Sequence, residues 1–152
     1  MARRHCGSAL GWPEMPGLSD VQRGPSFHGF LAERHLATLT LVRSDGRPHV
    51  TPVGFTWSDD EECARVITWS GSVKARMLAA GPLEAAICQV DGGRWLTIEG
   101  NAEVSGDPAA CRSAVEAYAV RYRPPKDRGP DRRVITVTAA RLLGSTGLLD
   151  GS

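Results

Sequence analysis

Length, composition and charge place this chain among ordinary globular domains and disfavour several classes of function. With 152 residues, 41% of them hydrophobic and 23% charged, the chain can build one core but not two well-filled ones. Its net charge of +1 gives no chain-wide basic field of the kind that attracts nucleic acid or anionic membranes. We therefore expect any anionic ligand to be bound by a local cluster of residues.

The sequence also predicts a cytoplasmic protein. No apolar stretch approaches the ~20 residues that a membrane span requires. Arg3 and Arg4 are followed by glycine, proline and acidic residues rather than by the apolar run of a signal peptide. The four cysteines are scattered and the four histidines show no ligand spacing, so we expect a reducing compartment and no metal site.

Taken in chain order, residues 1–25 are rich in proline and glycine and are predicted to be a flexible extension. The folded domain is expected to cover residues 26–150 and to open with a short helix capped by Ser26. Alternating and apolar segments then predict six strands, over residues 36–42, 49–57, 64–70, 83–90, 94–104 and 134–139.

Two further helices interrupt the strands. The first is predicted over residues 74–80, where Gly81 and Pro82 stop it, and the second begins at Pro108 after a capping Asp107. The tail beyond Gly144 is expected to be loose. Strands joined mostly by hairpins indicate a mainly β fold, an antiparallel β-barrel with helices packed outside. A Rossmann dinucleotide site is disfavoured because the chain has neither strict βαβ alternation nor a G-x-G-x-x-G motif.

The segment around Thr68 carries the clearest chemical signal. Thr68 and Ser70 lie at the end of a predicted strand, Ser72 is placed to cap the next helix, and Lys74 adds a positive charge in its first turn. Hydroxyls and a lysine at exposed helix N–H groups are typical of a phosphate site. The same residues also fit a serine-capped helix with a solvent-facing lysine.

The pattern T-x-S-x-S-x-K-A-x-x-L, preceded by the irregular strand P-H-V-T-P-V-G-F, resembles the pyridoxamine-phosphate-oxidase-like superfamily of split β-barrels. Within it, the chain is similar to the branch that uses the deazaflavin coenzyme F420. The similarity extends from about Phe30 to Leu149 and includes Glu33-Arg-His-Leu36, Gln89-Val-Asp-Gly92, Arg94-Trp-Leu96, Arg121-Tyr-Arg123 and Leu148-Leu-Asp150.

The resemblance implies a set of cofactor-binding residues on four elements. The ring of the cofactor is expected against the second strand, at His49, Thr51, Pro52, Val53 and Gly54. Its phosphate is expected on Thr68, Ser70, Ser72 and Lys74, with Ala75 and Met77 lining the same helix. Gln89 and Trp95 lie on strands that reach the cofactor in relatives. Gln89 is expected to be buried with a hydrogen-bond partner, whether or not it also contacts the ring, and for Trp95 core packing is an equal alternative to a place in the site.

The resemblance further implies hydride transfer from reduced F420 to a conjugated small molecule such as biliverdin or another conjugated acid. No catalytic side chain is singled out by the sequence. F420 carries an oligoglutamate tail, and the basic segment from Arg121 to Arg133 is the best local patch to meet it or an acidic substrate. Two alternatives stay open, an FMN-dependent oxidase or reductase of the same fold and a non-catalytic protein that binds a flavin, a deazaflavin or a haem-like molecule.

A homodimer is expected as well. A barrel of this size leaves apolar side chains on the second strand and on the Trp95 strand that two helices do not obviously cover, and a two-fold partner would cover them.

Overall fold

The computed structural model describes Leu18 and residues 22–150. Nine strands form within this range: β1 (Gln22–Arg23), β2 (Ala37–Val42), β3 (Pro48–Val53), β4 (Thr56–Ser58), β5 (Cys63–Trp69), β6 (Leu83–Asp91), β7 (Arg94–Ser105), β8 (Arg132–Gly144) and β9 (Leu149–Asp150). The α-helices are α1 (Phe27–Ala32), α2 (Val73–Ala79) and α3 (Pro108–Arg121). A 3-10 turn, Gly129–Asp131, precedes β8. Among these helices, none is long and apolar enough to cross a membrane.

Seven strands form one antiparallel sheet in the order β3-β2-β6-β7-β8-β5-β4. The two edge strands, β3 and β4, are consecutive in the chain and are separated by Gly54 and Phe55 alone. Because so short a connection keeps these edges close, the sheet must curl into a barrel. The mainly β fold and the antiparallel barrel predicted from the sequence are confirmed.

The barrel closes around a core of aliphatic and aromatic side chains. Leu39, Ile98 and Ile135 are fully buried at its centre, and α1 covers one side with Phe27 and Phe30. Burying such side chains contributes roughly 1.5–3 kcal/mol each, which is the main stabilisation available to a domain of this size.

The long central strands β7 and β8 pair with a bulge at Glu99 and Gly100. A Cβ at Gly100 would stand 1.8 Å from the carbonyl oxygen of Thr138, so no other residue fits there without moving the backbone. The bulge increases the local twist that a closed barrel needs.

Three sequence-based expectations for the fold are wrong. The strand predicted over residues 49–57 is two strands on opposite edges of the sheet, because the chain turns at Gly54. The tail beyond Gly144 was expected to be loose, yet Leu148 and Leu149 are buried and β9 pairs with β1. Ser26 precedes α1 but makes no side-chain capping bond.

Strand β1, which pairs with β9, lies within the predicted N-terminal extension. Gln22 and Arg23 lie before residue 26 and are hydrogen-bonded to the C-terminal strand, and Leu18 is buried in the main core. The other residues of the predicted extension, 1–17 and 19–21, lie outside the described residues.

Candidate cofactor site

A cavity of about 240 Å³ lies where β3, β5, α2, α3 and the loop after α3 converge. Five of the predicted site residues line it: Pro52, Val53, Gly54, Thr68 and Lys74. The remaining walls come from residues that the site prediction did not include: Val66, Ile67, Trp69, Tyr118, Pro125, Lys126, Arg128 and Arg132. Among the described residues that line this space, four are basic and none is acidic, and we call it the cationic cavity.

The predicted hydroxyl residues hold the turn that enters α2. The Thr68 hydroxyl donates to Ser72 Oγ at 2.8 Å, and Ser72 Oγ accepts from the backbone N–H of Ala75 at 3.1 Å. Ser72 therefore caps α2, as the sequence predicted. Ser70 instead turns to the loop after α3, where its hydroxyl donates to Asp131 Oδ1 at 3.2 Å.

Lys74 is the predicted residue whose environment most favours an anion. It is half-buried, and no carboxylate of the described residues forms an ion pair with it. Removal from water lowers the pKa of the Lys74 ammonium. A bound anion in the cavity would compensate this desolvation.

Two of the other cations, Arg128 and Arg132, are held in place by neutral groups. The guanidinium of Arg128 stacks 4.4 Å from the ring centroid of Trp69. Arg132 donates to the carbonyl oxygens of Thr68 and Lys126, and burial and then the charge of Arg128 lower the pKa of its guanidinium. Carbonyl and ring partners position these groups without neutralising them, so the positive charge remains available to a ligand.

Gly54 marks the closest approach of α3 to the barrel. A Cβ at this position would stand 2.9 Å from Cε2 of Tyr118 and 3.0 Å from Cε2 of Tyr122. The sequence suggested that Gly54 lets the backbone approach a flat ring, and the rings found there are those of the protein's own tyrosines.

His49 and Thr51 do not line the cationic cavity. They alternate with the exposed Val50 and pair across the strands with Leu41 and Leu39, so their side chains share the inner face of the sheet. His49 Nδ1 and Thr51 Oγ1 are buried without a hydrogen-bond partner. In this structure they lie apart from the predicted phosphate residues.

Ala75, Met77 and Trp95 also lie away from the cavity lining. Ala75 is buried, and Met77 packs against the main core. Trp95 is 38% exposed and is paired with Val90 on the outer face of β6 and β7.

Gln89 has the buried, hydrogen-bonded role that the sequence predicts. It is fully buried, its amide donates to the carbonyl oxygen of Phe30 at 2.9 Å, and its Oε1 accepts from Arg121 Nη2. Arg121 also donates to the carbonyl oxygens of Phe55 at 2.6 Å and Glu33 at 3.0 Å. Arg121 was expected in a surface patch that meets an acidic group. This expectation is wrong, because its guanidinium is buried and donates to acceptors within the protein.

Two further basic residues, Arg94 and Arg133, also have hydrogen-bond partners within the protein. Arg94 bridges Glu33 and Asp91, which raises the pKa of the guanidinium and lowers the pKa of both carboxyls. Arg133 donates to the carbonyl oxygens of Pro130 and Arg132. Of the basic segment, Lys126, Arg128 and Arg132 are the residues that the structure brings to the cavity.

Tyr118 and Trp69 were missed by the site prediction. Tyr118 lies on the barrel-facing side of α3, and its position in the cavity depends on how α3 crosses Gly54. Trp69 is 40% exposed and supports Arg128. A signal existed for Trp69, since it stands between the two hydroxyl residues Thr68 and Ser70.

The model of the pyridoxamine 5'-phosphate oxidase family matches residues 25–145, a range that contains every residue of the cationic cavity. The chain belongs to this family. A relative from Mycobacterium tuberculosis (strain CDC 1551 / Oshkosh), the F420H2-dependent biliverdin reductase, is 51% identical over 121 residues, which cover 80% of this chain and 87% of the relative.

Solved structures show the same fold. The structure of an F420 reductase is 26% identical, with a TM-score of 0.61 over 77% of this chain and 95% of that chain. The haem storage protein HutZ from Vibrio cholerae is 20% identical, with a TM-score of 0.64 over 78% of this chain and 92% of that chain. At 20% identity, the similarity to HutZ shows a shared fold and nothing about function.

Proposed function

We propose that this protein is an F420H2-dependent reductase whose substrate is biliverdin or a similarly conjugated acid. The observation that carries the proposal is the cationic cavity, which gathers four basic residues and no acidic one beside Gly54. A phosphate-bearing cofactor fits such a lining because no carboxylate of the described residues forms an ion pair with these cations. The choice of F420 as the cofactor and of biliverdin as the substrate follows the activity of the 51% identical relative.

The residues that would hold the cofactor phosphate are Lys74, Lys126, Arg128 and Arg132. Lys74 is partly desolvated and gains most from an anion, while the stack of Arg128 on Trp69 keeps that guanidinium in place. Pro52, Val53 and Gly54 stand at the end of β3, an edge strand that pairs with β2 on one side, so the backbone on its other side can meet the ring system. When bound, reduced F420 supplies a hydride to an electron-poor carbon of the substrate and is itself oxidised.

We further propose a homodimer. Leu36, Val50 and Val90 are 64%, 56% and 59% exposed. Val50, Val90 and Trp95 lie on the outer side of β3, β6 and β7, and Leu36 directly precedes β2. These strands are neighbours through β2, so the strand residues share one side of the sheet, which we call the outer sheet face. Exposed apolar surface of this kind is typical of an interface, and a two-fold axis pairs it with itself.

The cellular location that we propose is the cytoplasm. Cys63, Cys88 and Cys111 are free thiols in the structure. Unpaired cysteines are typical of a reducing compartment.

A binding and turnover experiment tests the proposed function. Purified protein is titrated with F420 and with FMN, and biliverdin reduction is then followed by absorbance with reduced F420 under anaerobic conditions. We expect binding of F420 and loss of the biliverdin band only when protein and reduced cofactor are both present. Tight FMN binding without F420 binding would instead identify a flavin enzyme, and binding without turnover would identify a carrier.

A further inference from the structure

Tyr118 lines the cationic cavity and has a hydroxyl group that the fold does not use. Its side chain is half-buried on α3. The hydroxyl forms no hydrogen bond with any residue that the structure describes. Polar groups that are withdrawn from bulk water generally have a hydrogen-bond partner, so this hydroxyl is available to a ligand in the cavity.

The hydroxyl of Tyr122, one helical turn further along α3, has a different environment. Its oxygen accepts from the backbone N–H of Phe55 at 3.2 Å, and its hydrogen is donated to the carbonyl oxygen of His35 at 2.7 Å. This hydroxyl therefore acts as donor and as acceptor within the fold. The two tyrosines form a natural comparison, because one phenol supports the barrel closure and the other faces the cavity.

The ring of Tyr118 is held in place by its neighbours. Its centroid lies 4.8 Å from the ring centroid of Tyr122, with the two planes inclined at 34°. A Cβ on Gly54 would stand 2.9 Å from Cε2 of Tyr118, and Cε2 is bonded to the ring carbon that carries the hydroxyl. The hydroxyl is thus fixed beside the backbone of Gly54 before any ligand binds, which reduces the entropy lost on binding.

Tyr118 adjoins both ends of the cationic cavity. Gly54, which it touches, belongs to the strand end proposed to meet the cofactor ring. Lys74 and Arg132 are proposed to hold the cofactor phosphate, and the phenol of Tyr118 is close enough to influence the pKa of the Arg132 guanidinium. The hydroxyl of Tyr118 therefore lies where the part of a cofactor between its ring and its phosphate must pass.

The size of the cavity agrees with this placement. Its volume of about 240 Å³ is smaller than the about 300–1,000 Å³ typical of sites that enclose a whole small molecule. It has room for a phosphate and the chain attached to it, with the flat ring against the strand end. In F420 and in FMN that chain is a sugar alcohol with several hydroxyl groups.

We propose that Tyr118 binds the sugar-alcohol chain of the cofactor, with its phenol hydrogen-bonded to a hydroxyl group of that chain. The inference rests on the proposed function and adds a binding residue that the sequence did not single out. The phosphate is better matched by the cations, since charged donors form the stronger hydrogen bonds to an anion. A neutral phenol, which can donate and accept, matches the neutral hydroxyls of the chain.

Tyr118→Phe tests the proposal with three ligands that share the chain. F420 has ring, chain and phosphate, its deazariboflavin fragment has ring and chain, and ribitol phosphate has chain and phosphate. Deazaflavin fluorescence gives the affinity of the first two, and competition with F420 gives that of the third. We expect Tyr118→Phe to weaken all three by roughly three- to ten-fold, as for one neutral hydrogen bond.

Thermal unfolding without ligand provides the control. Tyr118→Phe is expected to unfold within about 1 °C of the wild type, whereas Tyr122→Phe should unfold roughly 4 °C or more below it, because the N–H of Phe55 loses its acceptor. A loss in Tyr118→Phe as large as that in Tyr122→Phe would show that the hydroxyl of Tyr118 supports the fold, and would overturn the proposal.

The pattern across the ligands decides which part of the cofactor meets Tyr118. A loss confined to F420 and deazariboflavin would assign the hydroxyl to the ring, and a loss confined to F420 and ribitol phosphate would assign it to the phosphate. Either pattern would overturn the proposal, as would unchanged affinity for all three ligands.

Failure of the proposed function would give a different result. Wild-type protein that binds FMN but not F420 would overturn the F420-dependent function, while FMN, riboflavin and ribitol phosphate would then test Tyr118 in the same way. Wild-type protein that binds neither the deazaflavins nor the flavins would overturn the proposed function and this inference together.

Discussion

Arg121 stacks on Phe55, with its guanidinium carbon 4.6 Å from the ring centroid, and donates to the carbonyl oxygen of the same residue at 2.6 Å. Phe55 belongs to the two-residue connection between the edge strands, so this contact fastens α3 to the point where the barrel closes. The same guanidinium also donates hydrogen bonds to Gln89 Oε1 and to the carbonyl oxygen of Glu33. Arg121 is therefore a structural residue of the closure.

Arg121→Gln is expected to lower the free energy of unfolding by about 2–4 kcal/mol, because it removes the charged donor of two buried acceptors and one part-buried acceptor. Urea unfolding of Arg121→Gln and of the control Arg123→Gln, which changes an exposed neighbour, measures the difference. The control should be nearly neutral. If Arg121→Gln kept full stability and lost only affinity for an acidic ligand, the structural role would be refuted.

Gly54→Ala is expected to destabilise the protein by about 1–3 kcal/mol, since the added Cβ overlaps the rings of Tyr118 and Tyr122. Gly93→Ala is the matched control, because a Cβ there meets nothing within 4 Å. Thermal unfolding compares the two variants. A further variant that combines Gly54→Ala with Tyr118→Leu should lose less stability than the two single changes added together. Strict additivity would argue that the close contact does not matter.

Lys74→Ala is expected to weaken F420 by about 1–3 kcal/mol, the value for a lost hydrogen bond to a charged group, and to leave the unfolding temperature almost unchanged. Arg76→Ala, an exposed basic residue on the same helix, serves as the control and should retain affinity. Fluorescence titration with F420 gives both affinities. A fall in stability with unchanged affinity would show that Lys74 supports the fold and not the ligand.

The pH dependence of binding should follow Lys74 as well. Burial lowers the pKa of its ammonium in the free protein, and a bound anion would raise it again. Binding then takes up a proton, so affinity is complete below the free-state pKa and declines as the pH rises through it. Lys74→Arg keeps its charge at high pH and should lose this alkaline decline. Identical pH profiles for wild type and Lys74→Arg would exclude Lys74 as the source.

Val50→Arg is expected to convert the proposed dimer into a monomer, because it replaces an exposed apolar side chain of the outer sheet face with a charge. Val120→Arg introduces the same charge at a position that is 90% exposed on α3 and outside this face. Light scattering at micromolar concentration should show a monomer for the first variant and a dimer for the second. A monomeric wild-type protein would reject the dimer directly.

The elements that the sequence predicted well are those whose signals are local. Asp107 and Pro108 start α3, and the Asp107 carboxylate accepts from the N–H of Ala110 at 2.9 Å. Ser72 caps α2 in the same manner, and the alternating residues of β2 form a strand with one buried face. Caps and strand alternation depend on neighbours within a few residues, so they can be recognised without the fold.

The candidate site could be predicted only in part. Thr68 and Lys74 lie in one short segment around the turn before α2, so the local sequence predicted them together. Pro52, Val53 and Gly54 were assigned to the same site only through the resemblance to the family. Tyr118 was missed because its place depends on the path of α3 across Gly54. The basic segment was recognised as a patch, but its composition alone did not separate Arg128 and Arg132 from the buried Arg121.

The sequence by itself determined five of the strands (β2 and β5 to β8), the two capped helices, the family pattern and the lysine after Ser72, because each is encoded within about a dozen neighbouring residues. Only the tertiary structure decided that the chain changes edges at Gly54 and that β1 pairs with β9. It also decided that Arg121 meets Gln89, 32 residues away, inside the barrel. Such contacts form when a closed sheet brings distant segments together and buried polar groups must find partners there, which no local pattern specifies.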